Sequence, residues 1–164
     1  MRSRFTWALQ RLQTVVDALA VALFLSMFVL VLASVAMRAA GDPLIWGDEL
    51  TRYLFVWVAL LAWSIATRRG SHIRIQVLVD MLPPGARFGL AMVSHVAVLV
   101  FATVLVVQGM KMTARNLDIE TITLFFTFAV VYAAAPVAGV LVALETARHA
   151  LDDFCQFLDA EAGR

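Results

Sequence analysis

Three charged side chains are the first candidates for chemistry in this chain. In the stretch WGDELTRYLFVW, Asp48, Glu49 and Arg52 come directly before a long apolar run. On a helix the two acids precede the arginine by four and three residues, so both carboxylates are expected to reach its guanidinium. Such a cluster is either a structural feature of a membrane interface or a docking surface for another protein. Trp46 and Trp57 flank it and fit an aromatic belt near the headgroups.

His95 is the only histidine within a predicted membrane segment, where an ionisable side chain is a functional hypothesis because it is costly to keep there. A proton-coupling site would need an acid or a histidine relay, and bis-histidine haem ligation needs a second histidine on a facing helix. His72 and His149 lie outside the predicted spans. We therefore favour a neutral His95 that is hydrogen-bonded to a neighbour. A haem-binding membrane anchor of a redox enzyme is the alternative.

The sequence offers no other group for catalysis or metal binding. The single Cys155 excludes an internal disulfide and lacks a partner for a cysteine metal site. The net charge of +1 provides no basic field for nucleic acid. We therefore predict no catalytic residue, no metal, no cofactor and no nucleic-acid partner, and we do not expect an enzyme.

The elements that carry these residues are predicted from the apolar composition. Hydrophobic residues make up 62% of the chain and the mean hydropathy is +0.87, values typical of a membrane protein. Four uncharged windows contain 20, 15, 23 and 24 residues: Ala18–Met37, Tyr53–Thr67, Phe88–Met110 and Thr121–Leu144. The predicted fold class is an all-α membrane protein with four transmembrane helices and short amphipathic interfacial helices. We expect a single four-helix integral membrane domain over residues 1–164, with spans of about 15–37, 48–67, 88–110 and 121–144.

The second window is too short to cross a membrane alone. Its fifteen residues give about 22 Å of helix, against a hydrocarbon core of roughly 30 Å. A helix that begins near Gly47 or Asp48 has the missing length. Acids in its first turn also suit the positive end of the helix dipole. The charged cluster is therefore predicted to be part of the spanning helix.

The Lys and Arg residues predict the orientation. With four spans, nine cations fall on the side of the two termini and four fall on the other side: Arg38, Arg52, Lys111 and Arg115. Cytoplasmic loops carry the excess of Lys and Arg, so both termini are predicted to be cytoplasmic. On that side, the connection from Arg68 to Arg87 predicts a short amphipathic helix ended by Pro83 and Pro84. Residues 2–16 are expected to extend the first helix.

Small residues four apart predict where helices approach closely. Such residues occur on the fourth and first spans: Ala134 with Ala138, Ala135 with Gly139, and Ala18 and Ala22 with Ser26. We expect them to build the bundle rather than to bind a partner. Pro136 predicts a kink in the fourth helix because it cannot donate a backbone hydrogen bond.

A chain that spans the membrane four times without an acidic or basic residue in mid-span has little means of moving a solute by itself. The paired Gly/Pro-broken segments and internal repeat of a transporter with its own substrate site are also missing from the sequence. An accessory or scaffold subunit is therefore favoured. A self-sufficient four-helix exporter, which would need a membrane-embedded acid, is the weaker alternative.

The stretch from Trp46 to Pro83 resembles the signature of the small membrane (permease) subunit of tripartite ATP-independent periplasmic (TRAP) transporters, the DctQ-type family. That signature contains a Trp, an acid pair with a following Arg, Phe-x-Trp, Arg-x-Gly-x-His-Ile and Leu-Pro. The matching positions are Trp46, Glu49, Arg52, Phe55, Trp57, Arg68, Gly70, His72, Ile73, Leu82 and Pro83.

The resemblance implies an accessory role in the bacterial inner membrane. In that family a large multi-span membrane subunit carries the substrate and sodium sites, and a periplasmic substrate-binding protein captures an organic acid for uptake by symport. The small subunit scaffolds the large one and contributes to the periplasmic docking surface. The residues expected at that surface are Asp48, Glu49, Arg52, Lys111, Arg115, Asp118 and Glu120. Those expected at the cytoplasmic interface, near membrane lipids, are Arg68, Arg69, Gly70, His72 and Arg74.

Overall fold

The computed structural model describes residues 2–68 and 84–162, and the side chains of residues 11–68, 86 and 88–155. Its helices, in chain order, are α1 Arg2–Ala39, α2 Ile45–Arg68, α3 Pro84–Arg115, α4 Phe128–Tyr132 and α5 Ala134–Ala162. Within these described residues, four segments are long and apolar enough to span a membrane: Arg11–Ala39, Ile45–Arg68, Phe88–Arg115 and Phe128–Cys155. The predicted all-α fold with four spanning helices is confirmed.

The spanning helices alternate in direction, which gives the molecule two sides. We call the side with the two chain ends the termini side. The other side carries the connections 40–44 and 116–127, and we call it the hairpin side. α2 begins at Ile45 and has 24 residues, about 36 Å of helix, so it has the length that its uncharged window lacked.

The long helices form an open row rather than a closed bundle. Among the described residues, α1 has extended contact with α2 alone, α2 also packs on α5, and α5 packs on α3. The edge-to-face pair of Trp63 and Phe101, with ring centres 5.6 Å apart, adds a bridge between α2 and α3. Many apolar side chains therefore stay exposed, which a membrane tolerates because lipid is as apolar as they are.

The buried stripe of α1 reflects its position at the edge of the row. The less exposed residues recur at alternating spacings of three and four: Gln13, Val16, Ala20, Leu23, Met27, Leu30, Ser34 and Met37. This is the heptad pattern of a helix with one neighbour. The predicted seam of Ala18, Ala22 and Ser26 is instead exposed, because it lies beside this stripe rather than on it.

Small residues bring α3 and α5 into close contact, as predicted for the fourth span. Ala134, Ala138 and Gly139 are buried. A Cβ added to Gly139 would lie 2.8 Å from Cγ2 of Val106. On α3, a Cβ added to Gly109 would lie 2.7 Å from Cδ of Pro136. The two glycines therefore set the distance between these helices.

The fourth span is interrupted near its start. α4 ends at Tyr132 and α5 begins at Ala134, so the break lies within one turn of Pro136. Pro136 cannot donate to the carbonyl of Tyr132 and its ring crowds that turn, which explains the loss of regular helical hydrogen bonding there, and the kink itself stays a prediction. The span also begins at Phe128 rather than at Thr121.

Residues 69–83 lie outside the described residues. This segment includes the predicted interfacial helix and four members of the cytoplasmic signature, Arg69, Gly70, His72 and Arg74.

Candidate docking site on the hairpin side

Residues 119–128, between α3 and α4, form a tight hairpin, which we call the 119–128 hairpin. The backbone N–H of Thr121 donates to the carbonyl of Phe126 at 3.1 Å, and that of Phe128 donates to Ile119 at 3.0 Å. The Thr121 hydroxyl lies 2.7 Å and 2.8 Å from the carbonyl oxygens of Leu124 and Phe126. The Thr121 side chain thus links the first half of the hairpin to two carbonyl groups of the second half.

Glu49 ties this hairpin to α2. Its carboxylate accepts the backbone N–H groups of Ile122 at 3.2 Å and Thr123 at 2.9 Å. It also accepts the hydroxyls of Thr123 and, at 2.5 Å, of Tyr53 one turn further along α2. Because charge-assisted hydrogen bonds are the strong ones, Glu49 holds the hairpin in place rather than presenting its charge to a partner.

Asp48 faces a different neighbour from Glu49. Its Oδ2 lies 2.9 Å from Nη2 of Arg38, at the end of α1. Consecutive residues on a helix point about 100° apart, so Asp48 is directed towards α1 while Glu49 is directed towards the hairpin. The expected sharing of Arg52 by both acids is therefore wrong, since Arg52 is exposed and pairs with neither carboxylate.

The aromatic residues of the signature extend the contact with the chain that follows the hairpin. Tyr53 packs edge-on against Phe126 and Phe128, with ring centres 5.9 Å apart in both pairs. The indole N–H of Trp57 donates to the carbonyl of Val130 at 3.2 Å. Trp46 is exposed at the start of α2. Trp57 is therefore structural here, whereas Trp46 stays available to lipid or partner.

The exposed charges of the hairpin side are of both signs, and two of them, Arg38 and Asp48, pair with each other. Its exposed charged residues among those described are Arg38, Asp42, Asp48, Arg52, Lys111, Arg115, Asp118 and Glu120. Exposed charges of mixed sign suit reversible association with a polar protein surface, where they steer the encounter. Arg38 and Thr123 were not singled out from the sequence. Arg38 could have been found as the only basic residue at the end of the first span.

A second polar cluster joins three helices on the termini side. Nη2 of Arg68 lies 2.5 Å and 2.7 Å from the two carboxylate oxygens of Asp17, which links α2 to α1. His149 of α5 places Nε2 3.1 Å from the carbonyl oxygen of Arg68. Gln13 of α1 donates to Glu145 of α5 at 2.7 Å. Arg68, the described member of the cytoplasmic signature, therefore fastens α1 and α5 to α2.

His95 is paired in the way a structural histidine would be. Its Nε2 lies 2.9 Å from Oδ2 of Asp153 on α5, and its side chain is largely buried. The Nε2 of His149 faces the Arg68 carbonyl. The Nε2 atom of each of these two histidines thus faces a protein partner. This arrangement gives no support to the haem alternative. No group of three or more potential metal-ligating side chains occurs among the described residues.

Comparison with known proteins assigns the chain to a family. Residues 27–156 match the family of the DctQ component of the tripartite ATP-independent periplasmic transporters. A small permease protein of a sialic acid TRAP transporter, SiaQ of Vibrio cholerae, is 37% identical over 100 residues, which are 61% of this chain and 58% of SiaQ. The C4-dicarboxylate TRAP transporter small permease protein DctQ of the same organism is 31% identical over 83 residues, 50% of this chain and 36% of that relative.

A longer relative also matches. The sialic acid TRAP transporter permease protein SiaT of Haemophilus influenzae is 36% identical over 66 residues, 40% of this chain but only 11% of SiaT. The alignments thus cover less than two thirds of these relatives' own lengths. The family match itself extends over most of this chain and includes three of its four spans entirely. The chain therefore belongs to the family of DctQ components of the TRAP transporters.

Proposed function

We propose that this chain is the small membrane subunit of a TRAP-type secondary transporter, folded as one four-helix membrane domain. It scaffolds a large membrane subunit that binds the ion and the substrate, and helps to dock a periplasmic substrate-binding protein. The observation that carries the proposal is the family match over residues 27–156. Three described ion pairs are consistent with it, because Arg38–Asp48, Arg68–Asp17 and Arg148–Glu145 lie towards the ends of the spans. The fourth, His95–Asp153, joins a histidine within the third span to the end of the fourth.

The open helix row is consistent with a scaffold. α1 and α3 lie at its edges, so each has a long apolar face that no other described helix covers. Such faces give a larger membrane subunit a broad surface to pack against, with lipid on the remainder. The match to an 11% segment of SiaT supports this partner, since a stretch similar to this chain occurs there within a much longer permease.

The substrate class proposed is an organic acid, taken up by symport with sodium. The two small permease relatives are named for sialic acid and C4-dicarboxylate transport, and both compounds are organic acids. The proposed location is the bacterial inner membrane, with both termini cytoplasmic. The excess of Lys and Arg on the termini side supports this orientation, which leaves the hairpin side periplasmic.

Uptake measurements test the role. In cells that keep the large subunit and the binding protein, deletion of this chain is expected to abolish uptake of the organic acid, and the plasmid-borne chain is expected to restore it. Uptake that persists without the chain, with the large subunit at its usual abundance, would contradict the scaffold role.

The docking role requires its own variants. We expect Asp48→Ala combined with Arg52→Ala to slow uptake while the membrane complex stays assembled, because both side chains are exposed on the hairpin side. Asp152→Ala, exposed near the end of α5 on the other side, is the matched control and should leave uptake unchanged. A complex that dissociates in the double variant would make the cluster structural and refute the docking role.

A further inference from the structure

Three cations mark the edge of the bilayer core on the hairpin side. The uncharged parts of three spans end there at exposed basic residues: Arg38, Arg52 and Lys111. Charged side chains are costly in hydrocarbon, so these residues lie at the boundary with water. Glu49 binds residues 122 and 123 and precedes Arg52 by three residues of α2, about 4.5 Å further from the membrane centre. The tip of the 119–128 hairpin, residues 122–125, therefore lies on the water side of this boundary.

The contacts of the hairpin with α2 direct its tip away from the membrane. The tip is held by Glu49, in the first turns of α2. After the tip, the chain packs on Tyr53, one turn deeper along α2, and then on Trp57, a further turn deeper. The tip is therefore the part of the hairpin nearest to the hairpin-side surface.

The tip presents two large apolar side chains to its surroundings. Ile122 is 88% exposed and Phe125 is fully exposed. Exposed charges lie close to them in the chain and on α2, since Glu120 precedes Ile122 by two residues and Asp48 is adjacent to Glu49. Apolar groups with charged residues around them have the composition of the centre and rim of a protein–protein interface.

The backbone of the tip has unpaired groups, which argue against burial in lipid. Among the described hydrogen bonds, none involves the N–H groups of residues 124–126 or the carbonyls of residues 122, 123 and 125. Such groups are costly in hydrocarbon, whereas water satisfies them and a protein partner can pair with them. The tip therefore suits an aqueous protein surface.

Side-chain hydrogen bonds hold the tip in one shape before any partner binds. The Glu49 carboxylate accepts two backbone N–H groups of the tip and the hydroxyl of Thr123. The Thr121 hydroxyl lies within hydrogen-bonding distance of two carbonyl oxygens in the second half of the hairpin. A surface that is ordered in advance loses less conformational entropy on binding.

We propose that Ile122 and Phe125 form the apolar centre of the surface that docks the periplasmic substrate-binding protein. They insert into an apolar depression of that water-soluble protein, and the open backbone groups of the tip pair with polar groups around it. Asp48 and Arg52 belong to the charged rim, which steers the encounter. The large subunit is instead expected against the apolar faces of α1 and α3 at membrane depth. The proposal rests on the proposed function and specifies its docking role.

Photocrosslinking identifies what covers the tip. p-Benzoylphenylalanine replaces Phe125 or, as the matched control, Leu151, an exposed apolar residue on the termini side. The chain and its large subunit are reconstituted in nanodiscs of phosphatidylethanolamine and phosphatidylglycerol and illuminated with the purified substrate-binding protein of the same transporter. We expect that protein to crosslink at position 125 and not at 151. A reaction at 125 with lipid or the large subunit alone, or no reaction there, would overturn the proposal.

Binding kinetics separate the tip from the charged rim. The same binding protein is passed over the immobilised nanodisc complex, and its association and dissociation rates are measured. Ile122→Ala combined with Phe125→Ala is expected to raise the dissociation rate at least about tenfold, because central apolar anchors act mainly on dissociation. Leu151→Ala should change neither rate. Co-purification with the large subunit in an unchanged amount shows that the tip variant is folded.

Glu49 is the positioning residue of the tip, because it acts through the backbone that carries Ile122. Glu49→Gln is expected to raise the dissociation rate, and to have no further effect once residues 122 and 125 are alanine. Asp48→Asn is the matched control. It changes the adjacent acid, which pairs with Arg38 rather than with the hairpin, and should lower the association rate alone. An equal effect of Glu49→Gln with and without the tip side chains would refute its positioning role.

The tip proposal and the proposed function fail in different ways. Binding to the unaltered complex, with the same dissociation rate when Ile122 and Phe125 are alanine, would overturn the tip proposal alone. A chain that forms no complex with the large subunit, or a complex that does not bind the substrate-binding protein, would overturn the proposed function together with the tip proposal.

Discussion

The contact between α3 and α5 predicts a large difference between two identical substitutions on one helix. Gly109→Ala places a Cβ 2.7 Å from Cδ of Pro136, where ordinary contact begins at about 3.4 Å. The backbone N of Pro136 lies 3.0 Å from the same Cβ, so a rigid ring and the main chain would have to move. Gly89→Ala, also on α3, meets nothing within 4 Å.

The expected difference in the free energy of unfolding between the two variants follows from two opposing effects. Replacing glycine by alanine within a helix stabilises it by roughly 0.5–1 kcal/mol at either site. Overpacking a close contact costs about 1–3 kcal/mol, and only Gly109 incurs it. We therefore expect Gly109→Ala to be less stable than Gly89→Ala by about 1–3 kcal/mol in free energy of unfolding.

The assay is unfolding by titration with sodium dodecyl sulfate from mild-detergent micelles, followed by tryptophan fluorescence. Trp63 is a suitable reporter, because it packs edge-on against Phe101 of α3. Since both variants carry the same chemical change in the same helix, their difference isolates the contact with Pro136. Equal free energies of unfolding would refute the inference that Gly109 sets the distance between α3 and α5.

Two further contacts predict measurable outcomes. Arg68 is 18% and Asp17 is 41% exposed, so we expect Asp17→Asn to lower the free energy of unfolding by about 1 kcal/mol, between the values of surface and buried pairs. The charge swap Asp17→Arg with Arg68→Asp should recover part of that loss, and no recovery would argue against a direct pair. A Cβ on Gly47 would lie 2.6 Å from Oγ of Ser34. Ser34→Cys with Gly47→Cys, in a Cys155→Ser background, is therefore expected to form a disulfide on mild oxidation, whereas persistent free thiols would contradict the packing of α1 on α2.

The spans of the fold were predictable because hydropathy and length constrain them strongly. The extension of α2 beyond its uncharged window followed from the thickness of a bilayer, and the helix begins at Ile45, slightly before the predicted Gly47 or Asp48. The irregular turn before Pro136 agrees with its missing N–H. The helix neighbours were harder to predict. The small residues Ala18, Ala22 and Ser26 looked like a packing seam, yet the buried stripe of α1 is a heptad that includes Ala20 and Ser34.

The 119–128 hairpin could not be recognised from the sequence, because it carries no charge beyond Glu120. An uncharged stretch beside a spanning helix has the hydropathy of that helix, so residues 121–127 were assigned to the fourth span. The abundance of β-branched and aromatic residues from Thr121 to Thr127 was the available signal, since such residues favour extended chain. The partners of Glu49 could not be deduced, because they depend on where this extended segment folds back.

The direct test of the central claim is purification of this chain from its native membranes in a gentle detergent, with mass spectrometry of the proteins that stay bound. We predict a large multi-span membrane protein in a stoichiometric amount. A chain that purifies alone, or with a soluble redox protein and a haem spectrum, would contradict its role as the small subunit of a TRAP-type transporter.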